Sequence, residues 1–179
     1  MPKVTIAKVE GRARGGGNEI ALAMDMCFAA IGSAIFGQPE VAVGLVPGGG
    51  STQRLPRLMG RGRALELLLG CNDFSAVLAE SYGFINRALP ANELTPFVEK
   101  LARRIASFPA HTIAHAKAAV DKGAFGSIAE GLLVEAQESN LSVASEVTQA
   151  RVAEALKMGA ETYEGELEME FVSRLSPSR

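Results

Sequence analysis

Two short stretches of this 179-residue chain set a carboxylate beside a run of glycine. The first reads Gly15-Gly16-Gly17-Asn18-Glu19. The second reads Phe36-Gly37-Gln38-Pro39-Glu40, followed by Pro47-Gly48-Gly49-Gly50-Ser51-Thr52-Gln53-Arg54. In the first, a glycine loop opens onto the start of a helix. The first N–H groups of a helix have no intrahelical partner, and the helix dipole favours negative charge beside them. Without Cβ atoms in the way, a ligand oxygen can reach those amides. That is the makeup of an oxyanion hole, which stabilises charge developing on a carbonyl oxygen. Glu19 follows in the first helical turn, and Glu40 lies on a loop that can fold back opposite it. Two carboxylates beside one polarised carbonyl suit proton transfer at the adjacent carbons. A plainer reading stands beside this one. Glu19 can be a first-turn charge favoured by the dipole alone, and Glu40 a solvated loop residue. Spacing leaves both readings open.

The elements that must hold these residues divide the chain in two. Residues 3–9 are β-branched and read as a strand, and 11–17 as a loop. Residues 18–24 read as a short buried helix, and 27–30 and 34–36 as short strands. The stretch 37–50 reads as a long loop with an extended piece near 41–43. Helices are expected over 51–59, with Ser51 as a cap, and over 61–69. A further helix is expected over 75–82, with Ser75 as N-cap and Gly83 as stop, then a strand over 85–89. From there the spacing is helical over 92–107, 112–122, 127–139 and 145–158. Leu94, Val98, Leu101 and Ile105 recur at steps of four and three. The division expected is therefore a mixed α/β part over 1–90 that carries the site, and a helical part over 91–179. The tail after about 165 is charged and reads as frayed. Of the 19 glycines, 14 fall between Gly11 and Gly83, so the flexible backbone belongs to the first part.

Composition removes several classes. Hydrophobic residues make up 47% and charged residues 21%, which suits an ordinary globular chain. With 18 Lys and Arg against 20 Asp and Glu, the net charge of -2 gives no field for nucleic acid or an anionic membrane. The longest uncharged run, 26–39, is too short to span a bilayer. The start of the chain has no signal-peptide pattern. Cys27 and Cys71 lack metal spacing and read as free thiols of a reducing, cytoplasmic setting, Cys27 packed and Cys71 partly exposed.

Other motifs fail. Gly11, Ala13 and Gly16 fit a dinucleotide fingerprint only if alanine replaces the glycine that must approach the pyrophosphate. No loop carries the Lys-Ser/Thr of a phosphate cradle, and Gly49-Gly50-Ser51-Thr52-Gln53 lacks the closing glycine of a nucleophile elbow. His111 and His115 stand four apart, but Thr112 sits where a zinc protease needs glutamate, so they read as an exposed pair and no metal site is expected. Arg54 and Arg57 read as solvated. Arg12 and Arg14, flanking the glycine loop, are candidates for substrate or subunit contact. Met24, Met26 and Phe28 read as core.

The residues that resist a plain reading resemble one family. Residues 4–89 are similar to the crotonase superfamily, the enoyl-CoA hydratase/isomerase family. The likeness rests on Val9-Glu10-Gly11-Arg12-Ala13-Arg14-Gly15-Gly16-Gly17-Asn18-Glu19, Asp25, Phe36-Gly37-Gln38-Pro39-Glu40 and Gly44-Leu45-Val46-Pro47-Gly48-Gly49-Gly50-Ser51-Thr52-Gln53-Arg54-Leu55-Pro56-Arg57. It continues in Ala79-Glu80-Ser81-Tyr82-Gly83-Phe84-Ile85-Asn86. The resemblance implies an α/β fold: a crotonase-like ββα spiral, here partial, followed by a C-terminal helical region of the trimerisation type. It implies an acyl-CoA thioester as substrate, no cofactor beyond the coenzyme A of that substrate, and a homo-oligomer, trimer or hexamer. On the same ground Gly16 is expected to be an oxyanion donor, and Glu19 and Glu40 the two glutamates that flank a water in the hydratases. Gly15, Gly17, Pro47 and Gly48 are expected to line the substrate. Isomerases of the family rely on the second glutamate position, so holding both favours hydration of a 2-enoyl-CoA.

In the family, spiral turns precede the strand that residues 3–9 resemble. They supply a second oxyanion donor on an A-G-x-D loop and most coenzyme A contacts. No such loop occurs in this sequence. Loss of one oxyanion donor costs about 10²–10³ in rate. The expectation is a truncated member, weak or inactive alone, with a non-catalytic assembly module or an isomerase using Glu40 as alternatives.

Overall fold

In the computed structural model, which describes residues 1–175, the first half of the chain winds through two three-stranded sheets. β1 (Ile6–Val9) leads to β2 (Arg12–Arg14), α1 (Gly16–Ala23), β3 (Met26–Ala30) and β4 (Ile35–Gly37). A 3-10 turn (Glu40–Val43), α2 (Ser51–Met59), α3 (Arg61–Gly70), β5 (Phe74–Ser75), α4 (Ala76–Tyr82) and β6 (Arg87–Leu89) follow. The first sheet has the order β1-β3-β6 and is all parallel. The second has the order β2-β4-β5, with β2 and β4 parallel and β4 and β5 antiparallel. From β1 to β4 the strands alternate between the sheets, the partial ββα spiral expected from the resemblance.

The starts of the short strands β1 and β3 are pinned together. Thr5 precedes β1, and its N–H and Oγ1 donate to Asp25 Oδ2 at 2.7 and 2.9 Å. The Asp25 N–H donates back to Thr5 Oγ1 at 3.0 Å. This reciprocal pair sets the start of β1 beside the start of β3. The two sheets share an apolar interior. Phe28, Ala29 and Ala30 of β3 and Phe36 of β4 are buried, and Phe36 meets Phe84 edge-on at 5.2 Å. Leu94 is fully buried, and Phe97 meets Phe28 edge-on at 5.2 Å.

Several local expectations change. Residues 12–14, expected inside a loop, form β2, with Ala13 buried and both arginines outward, the period-two pattern of a strand. Residues 41–43, expected as extended, lie in the 3-10 turn, which Gly44 ends at φ 78°. β5, two residues long, had no sequence signal, and Ser75 caps α4 as expected by accepting from the Leu78 N–H at 3.2 Å.

The chain divides into two compact units within the next helix, α5 (Ala91–Ala106), between Glu99 and Lys100. Thr5–Glu99 is one unit, and Met1–Val4 joins the chain from Lys100 onward in the other. The second unit contains α6 (Ala110–Phe125), α7 (Ile128–Val143), α8 (Glu146–Lys157), α9 (Tyr163–Glu168) and α10 (Glu170–Arg174). Ser127 and Glu130 form a capping box at the start of α7. α6 and α7 approach through glycine: a Cβ on Gly131 would lie 3.4 Å from Gly123 Cα. His111 and His115 are half-buried, which corrects the exposed pair. His115 Nδ1 lies 2.6 Å from Glu138 Oε2 on α7, and His111 Nε2 lies 3.0 Å from Thr148 Oγ1 on α8. The tail expected to fray instead forms α9, capped by Thr162, and α10; residues 176–179 lie outside the described residues.

Both cysteines are free, and their surroundings differ. Burial pushes the Cys27 thiol up to about 11. Cys71 is half-exposed. A thiol with that value is ionised to roughly one part in a thousand at pH 8, and the thiolate is the reactive form. A disulfide reagent at pH 8 should therefore modify one cysteine fast and the other only after denaturation. Two fast thiols in the native chain would contradict the burial of Cys27.

Candidate active site

The start of α1 gathers the residues singled out above. Gly15 is its N-cap and has φ 52° and ψ -126°, a conformation open to glycine alone. The Gly15 N–H donates to Gly37 O at 2.9 Å, and the Gly15 carbonyl accepts from the Glu19 N–H at 3.0 Å. The Gly16 N–H, next along, donates to no acceptor among the described residues, and the space beside its Cα is open. It is the first helical amide, aligned with the positive end of the α1 dipole.

Both glutamates reach this helix start. A Cβ on Gly15 would stand 2.9 Å from Glu40 Oε1 and 3.9 Å from Pro39 Cδ, so the Glu40 carboxylate lies directly against the N-cap. Glu40 Oε2 is buried with no hydrogen-bond partner among the described residues. Glu19 is 8% exposed, and its Oε1 accepts three hydrogen bonds. Gly49 N–H donates at 2.8 Å, Ser51 N–H at 3.2 Å and Ser51 Oγ at 2.9 Å. Glu19 Oε2 takes no hydrogen bond among the described residues. The plainer reading fails for Glu40, which is half-buried and packed on Gly15.

The second glycine run is shaped by what it touches. A Cβ on Gly49 would fall 2.3 Å from Glu19 Oε2 and 2.7 Å from Glu19 Cδ. On its other side Arg54 Nη1 donates to Gly49 O at 3.0 Å. Gly50, not Ser51, is the N-cap of α2, because Ser51 is the first helical residue and turns its hydroxyl to Glu19. Arg54, expected to be solvated, is instead a clamp on this loop. Pro47 is buried and Gly48 is exposed, its N–H without an acceptor among the described residues.

Two residues of the site escaped a functional reading. Asn18 and Gln38 are fully buried, and neither side-chain amide has a partner among the described residues. Each lies next to a candidate: Asn18 before Glu19, and Gln38 two before Glu40. Buried amides without protein partners are met by ordered water or ligand. Their signal in the sequence is an amide side chain directly after a glycine and within two residues of a carboxylate.

Residues 1–172 match the family model described as enoyl-CoA hydratase/isomerase. The chain belongs to that family. Among relatives of the enoyl-CoA hydratase/isomerase family, a "Probable enoyl-CoA hydratase, mitochondrial" of Dictyostelium discoideum is 42% identical over 133 residues, 74% of this chain and 48% of the relative. A crotonyl-CoA hydratase of Syntrophomonas wolfei is 41% identical over 146 residues, 82% of this chain and 56% of the relative. The crystal structure of an enoyl-CoA hydratase from Bacillus anthracis matches with a TM-score of 0.82 at 35% identity, covering 88% of this chain and 60% of that one. The chain thus spans about half the length of the curated relatives it matches. No helix among the described residues is long and apolar enough to cross a membrane, and no three His, Cys, Asp or Glu side chains among them are grouped to hold a metal.

The contact between Gly49 and Glu19 gives a direct test. Gly49→Ala forces a methyl into a buried, hydrogen-bonded carboxylate and is expected to cost about 1–3 kcal/mol in urea unfolding. Gly48→Ala, where nothing lies within 4 Å, should stay within about 0.5 kcal/mol. Equal losses at the two positions would remove Glu19 from the role of loop anchor.

Proposed function

We propose that this chain carries the hydration site of a 2-enoyl-CoA hydratase. The single observation that supports the reading most is at the start of α1. The Gly16 N–H has no acceptor among the described residues, the Glu40 carboxylate packs on the Gly15 N-cap just before it, and Glu19 follows three residues on in the same helix.

The chemistry follows from charge. Attack of water on C3 of the enoyl group moves an electron pair through C2 toward the thioester oxygen. The Gly16 N–H, backed by the α1 dipole, donates to that oxygen as it becomes an enolate. One carboxylate accepts a proton from the water while its oxygen bonds to C3. The other carboxyl group delivers a proton to C2, on the same face. The pair holds one proton before and after, and exchange through solvent resets it. Glu19 is suited to a fixed orientation because Oε1 is anchored three times and Oε2 is left over. Gly15, Gly17, Pro47 and Gly48 line the approach, where small residues let the thioester come near the backbone. The reading needs no cofactor beyond the coenzyme A moiety of the substrate. Exposed apolar side chains on α6 and α7, among them Phe125, Ile128 and Leu133, support self-association into a trimer or hexamer. Two free thiols suit a reducing compartment such as the cytoplasm.

A second reading draws on the same three hydrogen bonds. They leave Glu19 a structural anchor and Glu40 the one proton carrier, as an enoyl isomerase would use it.

The test is hydration of crotonyl-CoA by the unmodified chain beside Glu19→Gln and Glu40→Gln. A carboxamide keeps the acceptor oxygen for Gly49 and Ser51 but carries no acid–base function. Each substitution is expected to lower kcat by about 10²–10⁴. With a single oxyanion donor among the described residues, the absolute rate is expected to be about 10²–10³ below that of a two-donor site. No turnover by the unmodified chain would overturn the hydratase reading for this chain. Loss with Glu40→Gln alone would favour the isomerase.

A further inference from the structure

We infer that Arg14 and Asp73 form a strap across β4 that positions both site loops, Arg14 and Asp73 acting as positioning residues for the Gly16 amide. The strap follows from the register of the second sheet. Arg14 pairs with Gly37 in the parallel ladder of β2 and β4. The antiparallel ladder of β4 and β5 pairs Ile35 with Ser75 and Phe36 with Phe74, so its next rung sets Asp73 opposite Gly37. Arg14, Gly37 and Asp73 therefore lie in one row across three strands, on the face opposite buried Ala13, Phe36 and Phe74.

Across that row the side chains meet. Arg14 Nε donates to Asp73 Oδ1 at 2.7 Å, and Arg14 Nη2 donates to Asp73 Oδ2. Such a two-pronged pair fixes geometry as well as charge. It passes directly over Gly37. A Cβ there would lie 3.4 Å from Asn72 O, 3.5 Å from Asp73 Oδ1 and 3.6 Å from Arg14 Cγ. A methyl would just fit, and anything larger would push the pair apart. The Arg14 hydrogen bond holds the Asp73 carboxyl below its usual range, helped by the charge of Arg12 on the same face.

What the strap holds is the exit of each site loop. The residue after Arg14 is Gly15, whose N–H is tied to Gly37 O; the residue after that supplies the free Gly16 amide. The residues after Gly37 are Gln38, Pro39 and Glu40. β5 offers only two residues of ladder, so without the pair the Asp73 end of the row is held by little. The pair is about half exposed, with side-chain exposures of 42% and 47%, and such pairs add little to global stability. Its consequence is therefore local geometry. The placing of Gly16 for catalysis rests on the hydratase reading above; the strap itself does not.

The experiment separates the two. In the full chain, backbone amide exchange of Gly15 and the chemical shift of Gly16 are followed by NMR in Arg14→Gln, Asp73→Asn and Gly37→Val, with the amides of β3, in the same unit but the other sheet, as the folding control. Each variant should speed Gly15 exchange by up to about fivefold, the range an exposed pair supplies, and move the Gly16 resonance while β3 stays unchanged. Where turnover is measured, kcat should fall and KM for crotonyl-CoA hold. A measurement without substitution guards against unfolded variants: in the unmodified chain, raising salt to 1 M shortens the screening length to about 3 Å and should speed Gly15 exchange relative to β3. Unchanged Gly15 exchange in folded variants, or in high salt, overturns the strap. No turnover with altered exchange overturns the hydratase reading and leaves the strap standing.

Discussion

One buried carboxylate joins the two halves of the site. α2 starts without a side-chain cap of its own, and the carboxylate of Glu19, carried on α1, takes that place. A negative charge is favoured at a helix N-terminus, and a buried carboxylate is tolerated only when its oxygens find donors. The two needs meet in one set of bonds: Gly49 N–H, Ser51 N–H and Ser51 Oγ all converge on Glu19 Oε1. Because the acceptor is a single oxygen, the other remains available. Removing the carboxylate would leave two backbone donors and a hydroxyl unsatisfied, so loop and helix positions depend on it together. A structural role and a chemical role are thus compatible in Glu19, since each uses a different oxygen.

Much of this was legible in the sequence because it rests on local chemistry. A glycine run before an acidic residue at a helix start reports itself through the unpaired amides that any helix leaves. Gly83 and Ser75 mark α4 for the same local reasons. What was not legible is set by contacts distant in sequence. β2 has three residues, two of them arginine, and becomes a strand only because β4 lies alongside. The cap of α2 could not be assigned to Glu19 from spacing, since 32 residues separate Glu19 from Ser51. Ser51 has the right chemistry for a cap and stands in the right place, yet its hydroxyl serves the carboxylate. Arg54 follows the same pattern: on a helical wheel it faces outward, while in space it reaches back to Gly49 O.

Asn18 and Gln38 set a different kind of constraint. Burying an amide without a partner costs free energy, and the amides of Asn18 and Gln38 are both buried and unpartnered among the described residues, as is Glu40 Oε2. Folding stability alone would favour apolar residues there. The arrangement is understandable where water or a polar ligand completes it, because then each buried group has its hydrogen bond. A proton-transfer site that works on water has that requirement built in: it must hold polar groups at full strength in a region that protein atoms do not fill.

The glycines separate along the same line. Gly15 owes its identity to its own backbone angles, and Gly49 to the Glu19 carboxylate lying where a side chain would be. Gly16, Gly17 and Gly48 have neither reason: none has a positive φ, and a Cβ on any of them would meet nothing within 4 Å. The fold by itself would accept alanine at all three, and glycine in the first turn of a helix is entropically unfavourable. All three belong to the set expected to face substrate, although Gly15 and Pro47 of that set are buried. The open side of the α1 start is thus a backbone kept bare and unbonded on one face, which is what the proposed hydratase would ask of the position facing a thioester oxygen.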